Sequence, residues 1–354
     1  MSEFAERIVA WQKHAGRHDL PWQRTRDPYR IWLSEIMLQQ TRVGAVIAYF
    51  ERFVARFPDL AALARADEDE VLRAWSGLGY YARARNLHRA ACRIVAEHGG
   101  AFPSRFEDIR ALPGVGRSTA GAIAVFAFGA RHPILDGNVK RVFARCFGME
   151  GYPGAKPVEA AMWAHAQNLL PQTALEAYIQ GLMDLGATIC TRSGPRCEQC
   201  PLRNDCVARR ERRVASLPTA RPRKPLPHRA TTMLVLVDGL EVLLEKRPPQ
   251  GIWGGLWCLP EIGAHETPAQ VALTRFGATV EAQEALPVVA HGFTHFSLDI
   301  APLLCRVRRA DCAQSPGRAW LALDDALGAA LPAPVRRILG GVRKKDSAGL
   351  EQRG

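Results

Sequence analysis

Two carboxylates stand where side-chain chemistry is plausible. In PYRIWLSEIML, Ile31, Trp32, Glu35 and Leu38 recur at spacings of three and four, so a helix sets Glu35 inside an apolar stripe. Burial there lifts a carboxyl above its reference of about 4.3 and keeps a proton on it near neutral pH, as a general acid requires. A salt bridge to a nearby arginine is the ordinary alternative. Asp136, in PILDGNVKR, precedes the helical stretch VKRVFARCF and can cap it. A capping carboxylate keeps a low pKa and stays ionised. An acid beside such an anion suits glycosidic cleavage, one group protonating the leaving group and the other facing an oxocarbenium sugar. A plain helix cap is the competing reading.

Four of the nine cysteines, Cys190, Cys197, Cys200 and Cys206, crowd into one short stretch with six, two and five residues between them. Pro195 and Pro201 force turns that let several sulfurs converge on one centre. Zinc and an iron-sulfur cluster both accept four thiolates. Zinc ligands usually come as two close pairs, whereas this set has one pair and two longer arms, which favours 4Fe-4S. The odd cysteine count argues against a disulfide framework and for a reducing compartment. The surrounding Arg192, Arg196, Arg203, Arg209 and Arg210 would let such a loop present positive charge to phosphates.

Leu112 to Ala120 reads LPGVGRSTA. Gly114 and Gly116 permit a tight turn whose backbone N–H groups sit at a helix N-terminus, where a phosphate is stabilised without its sequence being read. A simple helix-helix turn is the alternative.

The elements that must position these groups are mostly helical. Residues 1–214 are rich in Ala, Leu, Arg and Glu at helical spacing, as in VGAVIAYFERFVARF, and are read as an all-α domain. Residues 215–230 carry four prolines and several bases, describing an extended basic connector. Residues 231–340 mix strands and helices, with TTMLVLV, the turn pair Asp238-Gly239 and EVLLEKR forming a hairpin and LDIAPLLCRV a further strand. The polar tail, 341–354, is expected to be disordered. A chain of 354 residues with 47 Lys+Arg against 35 Asp+Glu, a net charge of +12, points to an acidic partner, most simply nucleic acid. The N-terminus has no apolar signal core, and the longest apolar run, Thr119 to Ala130, is too short to cross a bilayer. A cytoplasmic, nucleoid-associated monomer without membrane attachment is expected.

Taken together the motifs resemble those of the helix-hairpin-helix DNA glycosylases, and more closely the MutY-type adenine DNA glycosylases. The resemblance rests on LPW at 20–22, WLSEIMLQQT at 32–41, GLGYYARARNL at 77–87, LPGVGRSTAGAI at 112–123, ILDGNVKR at 134–141, MDLGATICT at 183–191, and GLWCLPE with HGFTHFSLDI further on. It implies a helix-hairpin-helix domain with a 4Fe-4S cluster on Cys190, Cys197, Cys200 and Cys206, joined to an α/β Nudix-like domain, acting on duplex DNA with adenine opposite 8-oxoguanine. On this resemblance Glu35 protonates the base, Asp136 stabilises or traps the sugar cation and Asn138 orients the site. Gln40 and Tyr80, with Thr41 and Leu78, fill or wedge the duplex while adenine flips out. Gly114 and Gly116 hold the backbone, and Phe293, Thr294 and His295 sense the opposite base.

Two departures from related patterns matter. Bifunctional relatives place a lysine where this chain has Ser118, and a hydroxyl cannot form an imine, so base excision without strand cleavage is expected. Thr294 stands where MutY relatives often have Ser, keeping the hydroxyl. GIWGGLWCLPE also suggests a Nudix pyrophosphatase, but ETPAQVALTRFGATV, where magnesium-binding carboxylates should lie, has only Glu266. Two further alternatives are an endonuclease III-like glycosylase/lyase, opposed by Ser118, and a non-catalytic iron-sulfur DNA-binding protein, opposed by Glu35 and Asp136 together.

Overall fold

A computed structural model describes residues 2–222, 225–263, 265–310 and 316–351. The chain divides into two compact units, one of Met1–Arg65 with Asn86–Arg223, the other of Ala66–Arg85 with Lys224–Gly354. The sequence pattern of 66–85 had assigned that segment to the helical domain; its packing assigns it to the second unit.

The first unit contains α1 (Glu3–Ala15), α2 (Pro28–Leu38), α3 (Val43–Arg56) and α4 (Leu60–Arg65), and no strand among its described residues. After α5 (Glu68–Ala74), which belongs to the second unit, α6 (Ala82–His98) crosses the division. The first unit then continues through α7 (Phe106–Arg110), α8 (Arg117–Phe128), α9 (Gly137–Cys146), α10 (Lys156–Asn168), α11 (Leu175–Asp184) and α12 (Val207–Arg210).

Helix α2 begins as its sequence dictates. Asp27 accepts a hydrogen bond from the Tyr29 N–H at 3.0 Å, and Pro28 occupies the first helical position, where no amide is needed. Ile31, Trp32, Leu33, Ile36 and Met37 are buried, and α2 lies against α8. In α8 every residue from Ala120 to Val125 is buried, so its unbroken apolar run reflects a helix enclosed on all sides. Asp136 caps α9, accepting from the Val139 N–H at 2.8 Å. Beyond α11 the backbone widens into a single π-type turn, Leu185–Ile189, closed by the Cys190 N–H donating to the Leu185 carbonyl at 2.7 Å. Such turns often mark functional sites.

The second unit carries β1 (His228–Asp238), β2 (Glu241–Lys246), β3 (Trp257–Cys258), β4 (Glu261–Ile262), α13 (Pro268–Phe276), β5 (Ala278–Ala285), β6 (Val289–Gly292), β7 (Ser297–Arg309), β8 (Arg318–Ala322), α14 (Leu323–Gly328) and α15 (Ala333–Glu351). The sheet runs β3-β2-β1-β7-β5, with β1 and β7 parallel and Leu234 opposite Leu303. Met233, Val235 and Val237 face Val335, Ile338, Leu339 and Val342 of α15, while Leu234 and Leu236 face Val271 and Ala272 of α13. A strand covered on both faces needs apolar residues at every position, which explains TTMLVLV. The expected hairpin forms, with Asp238 opposite Glu241 and Gly239 in the left-handed region (φ 58°), so its turn is Gly239-Leu240 rather than Asp238-Gly239.

The tail departs from expectation. α15 runs through the Gly340-Gly341 pair to Glu351, and only 352–354 lie outside the described residues. Val335, Ile338, Leu339 and Val342 anchor it at helical spacing, and the Arg/Lys run beyond them is compatible with helix.

Candidate active site

A cleft of about 750 Å³ opens in the first unit between α2, α8, the start of α9 and α11. Glu35, Ser118, Asp136 and Asn138 all line it, beside Trp22, Phe126 and Met183 and the cations Arg17, Arg24 and Arg26. It can take a planar apolar group with a charged moiety attached.

Glu35 is half-buried and borders the cleft. Desolvation, followed by the nearby charge of Asp136, pushes its carboxyl up to about 8. No cation pairs with it among the described residues, so the salt-bridge alternative fails. Asp136 does not behave as expected of a helix cap. Burial raises its pKa, outweighing the hydrogen bonds from Val139 and Asn138 that favour its anion. Asp136 nonetheless has those donors and Glu35 has none among the described residues, so a single proton shared by the pair rests on Glu35.

The Asn138 side chain donates to Asp136 at 3.1 Å and accepts from Arg141 at 2.8 Å. Arg141 also donates to the backbone carbonyls of Gly186 at 2.6 Å and Cys190 at 2.7 Å. A methyl group on Gly186 would lie 2.5 Å from the Asn138 Cβ, so the π-type turn fits against the start of α9 only with glycine there. The Ser118 hydroxyl accepts from the Leu135 N–H at 3.0 Å, tying α8 to the segment that carries Asp136.

Cys190, Cys197, Cys200 and Cys206 line one small pocket with Ile189, Pro195 and Val214. Among the described residues, no group of three or more His, Cys, Asp or Glu is arranged to hold a single metal ion. Four cysteine sulfurs around a common pocket form a donor set that fits a thiolate-ligated group. Buried Arg145 donates to the Cys190 sulfur at 3.4 Å and to the Thr191 carbonyl at 2.7 Å.

Gly114 adopts φ +79°, and open space surrounds Gly116 at the start of α8, leaving that helix N-terminus accessible. The Gln39 amide approaches both the Gly114 carbonyl and the Thr119 hydroxyl at 3.4 Å. Gln40 is exposed with φ +58°, and Thr41 lines the cleft. Leu78 and Tyr80 belong instead to the second unit. Leu78 is buried, whereas Tyr80 is 49% exposed with φ +50°. Arg83 lies over the rings of both Tyr80 and Trp75, at 5.4 and 5.3 Å.

Phe293, Thr294 and His295 form the turn between β6 and β7, with the Phe293 N–H donating to the Phe296 carbonyl at 2.8 Å. Phe293 stacks on Phe296 at 4.3 Å, while Thr294 and His295 are exposed, so His295 is not a core histidine. Helix α13 carries no carboxylate.

Sequence reasoning missed Arg141 and Arg145. Their only signal is position, one and two turns beyond Asn138 on the face that meets the cysteine segment. It also missed the cleft-lining Arg17, Arg24 and Arg26, which follow no periodic pattern.

Residues 33–167 match the HhH-GPD superfamily of base excision DNA repair proteins, and residues 231–340 match the NUDIX domain. The chain is 36% identical over 343 residues to the adenine DNA glycosylase of Buchnera aphidicola subsp. Acyrthosiphon pisum, covering 96% of this chain and 98% of that protein. It is 32% identical to the Homo sapiens adenine DNA glycosylase, covering 96% of this chain and 73% of the human protein. A thermostable thymine-DNA glycosylase structure superimposes with a TM-score of 0.52 at 30% identity, covering 59% of this chain and 95% of that one.

Proposed function

From the premise that this chain belongs to the adenine DNA glycosylase family, we infer that it excises adenine paired with 8-oxoguanine, or with guanine, from duplex DNA without cutting the strand. The observation that carries the reading is a proton-bearing Glu35 beside the hydrogen-bonded Asp136 in one cleft. Adenine turned out of the stack enters this cleft, and Glu35 gives its proton to a ring nitrogen of the base as the C1′–N9 bond breaks. The bonding electrons leave with the base, and the sugar becomes an oxocarbenium ion facing the Asp136 carboxylate. Water then adds to C1′, and its proton returns to a carboxylate of the pair. Ser118 offers no amine, so no imine forms and the backbone stays whole.

The starts of α8 and of the Gly114–Gly116 turn serve as the phosphate contact, Gln40 and Thr41 sit at the flipped site, and Tyr80 acts as the wedge, with Leu78 beneath it. Phe293, Thr294 and His295 read the opposite base within a lesion-recognition domain of 231–340, which follows a catalytic domain of 1–214 and a linker of 215–230. The four cysteines would hold a 4Fe-4S cluster, which would close the 190–206 loop so that Arg192, Arg196, Arg203, Arg209 and Arg210 present positive charge toward phosphates. One chain brings all these groups, so a monomer suffices.

Duplex oligonucleotides with adenine opposite 8-oxoguanine test the reading. Incubation should leave an abasic site on an intact strand, cut only after alkali. Efficient cleavage without alkali would favour a lyase, and an unchanged duplex would refute the assignment. Brown protein with visible charge-transfer absorbance is expected; colourless protein with stoichiometric zinc would replace the cluster with zinc.

A further inference from the structure

The second unit contains both the exposed wedge tyrosine and the turn of Phe293, and named contacts join them. The wedge loop, 77–80, has left-handed backbone at Gly77 (φ 97°), Gly79 (φ 74°) and Tyr80 (φ 50°). The Trp75 indole N–H and the Arg83 guanidinium both donate to the Gly79 carbonyl, at 3.1 and 3.2 Å. That fixes the loop on its own segment.

Tyr81 fixes it to the strand-bearing part. Its hydroxyl accepts from the Gly77 N–H at 3.3 Å and donates to the Leu331 carbonyl at 3.1 Å. Beside it, Arg336 donates to the Ser76 hydroxyl at 2.9 Å. One helical turn further, the Arg85 guanidinium donates to the Gly254 carbonyl. Gly254 follows Trp253, whose backbone is held at φ +54°, a conformation that persists in a bulky residue only where its surroundings impose it. The Trp253 indole lies 5.5 Å from the Phe293 ring and 5.7 Å from His291. From Tyr80 to Phe293, then, the path runs through short stretches of backbone, the hydrogen bond from Arg85 to Gly254 and the ring contact of Trp253 with Phe293, and it joins the wedge to the base-reading turn.

We propose that Tyr81 and Arg85 are positioning residues for lesion discrimination: they fasten the wedge loop to the base-reading turn, so that sensing the opposite base and inserting Tyr80 occur as one event. The inference rests on the 8-oxoguanine reading above. Neither residue touches the reacting atoms, and the catalytic carboxylates lie in the other unit. Loss of either fastening should therefore loosen the selection of the opposite base more than the chemistry of excision.

The test uses the full-length chain. Single-turnover excision is measured on adenine opposite 8-oxoguanine and opposite guanine for the wild type, Tyr81→Phe, Arg85→Gln and the double variant. Tyr81→Phe keeps the ring and removes only the hydroxyl, and circular dichroism checks each variant's fold. Each single variant should lower the 8-oxoguanine-to-guanine rate ratio by about 5- to 30-fold, the loss of one or two hydrogen bonds, with the guanine rate nearly unchanged. The double variant should be less than additive if the two contacts serve one coupling. 2-Aminopurine beside the 8-oxoguanine should report weaker unstacking in both variants. A wild type that prefers 8-oxoguanine while both variants keep its ratio overturns the proposal, as does equal loss on both substrates. A wild type without preference overturns the underlying reading and the proposal with it.

Discussion

The charge of Asp136 adds to burial in raising the Glu35 carboxyl, and the asymmetry of their hydrogen bonds assigns the proton. Glu35→Gln keeps the size and removes the transferable proton, so single-turnover excision should fall by about 10²- to 10⁴-fold while duplex affinity stays near normal; retention of most of the rate would remove Glu35 as the acid. The same variant should change stability. Folded Glu35 keeps its proton up to about 8, whereas unfolded chains shed it near the ordinary carboxylate value of about 4.3. Stability therefore declines as pH rises through that window, and Glu35→Gln should melt higher than wild type at pH 8 but alike below the window. The excision rate should also fall as pH rises through about 8. Asn138→Ala removes a donor that favours the Asp136 anion, so the acidic limb of the pH–rate profile should move to higher pH. Glu35 was legible because an acid within an apolar stripe contradicts its own helix. The raised pKa of Asp136 was not, because a cap motif specifies its local donors but not the burial that neighbouring helices impose.

Helix α9 carries the cap carboxylate, Asn138, Arg141 and Arg145 along its length, so it spans from the cleft to the cysteine pocket. Arg141→Gln should lose the donors to Gly186 and Cys190 and free the Asn138 amide, lowering excision by roughly 10- to 100-fold. Visible absorbance should be retained; its full loss would mean that Arg141 serves only to close the cysteine loop. The starts of α2 and α9 follow directly from Asp27-Pro28 and from Asp136, because caps act within a few residues. The π-type turn at 185–189 and the extension of α15 had no such local mark. The first depends on Gly186 meeting Asn138, and the second on a covered face that ends before the helix does.

For the whole molecule, the boundary suggested by the proline-rich connector is incomplete, since 66–85 packs with 224–354. Composition could not reveal this, because the segment opens with the helix Glu68–Ala74 and ends in the start of Ala82–His98, so its helical pattern continues that of its neighbours. Removing residues 226–354 should therefore lower excision most opposite 8-oxoguanine, where both the base-reading turn and its fastening to the wedge segment are lost, and to a lesser degree opposite guanine, where only the packing under the wedge segment is lost; a truncation that keeps full activity opposite guanine would show that segment to be self-supporting. The same packing bears on biosynthesis. Tyr81 and Leu331 are 250 residues apart, and a ribosome adding about 5–20 residues each second delivers the second roughly 10–50 s after the first. Synthesis and folding thus run in different orders: the helical unit can close while its inserted segment waits for a partner not yet made, leaving the nascent chain with an unmatched surface that chaperones would find before the duplex does.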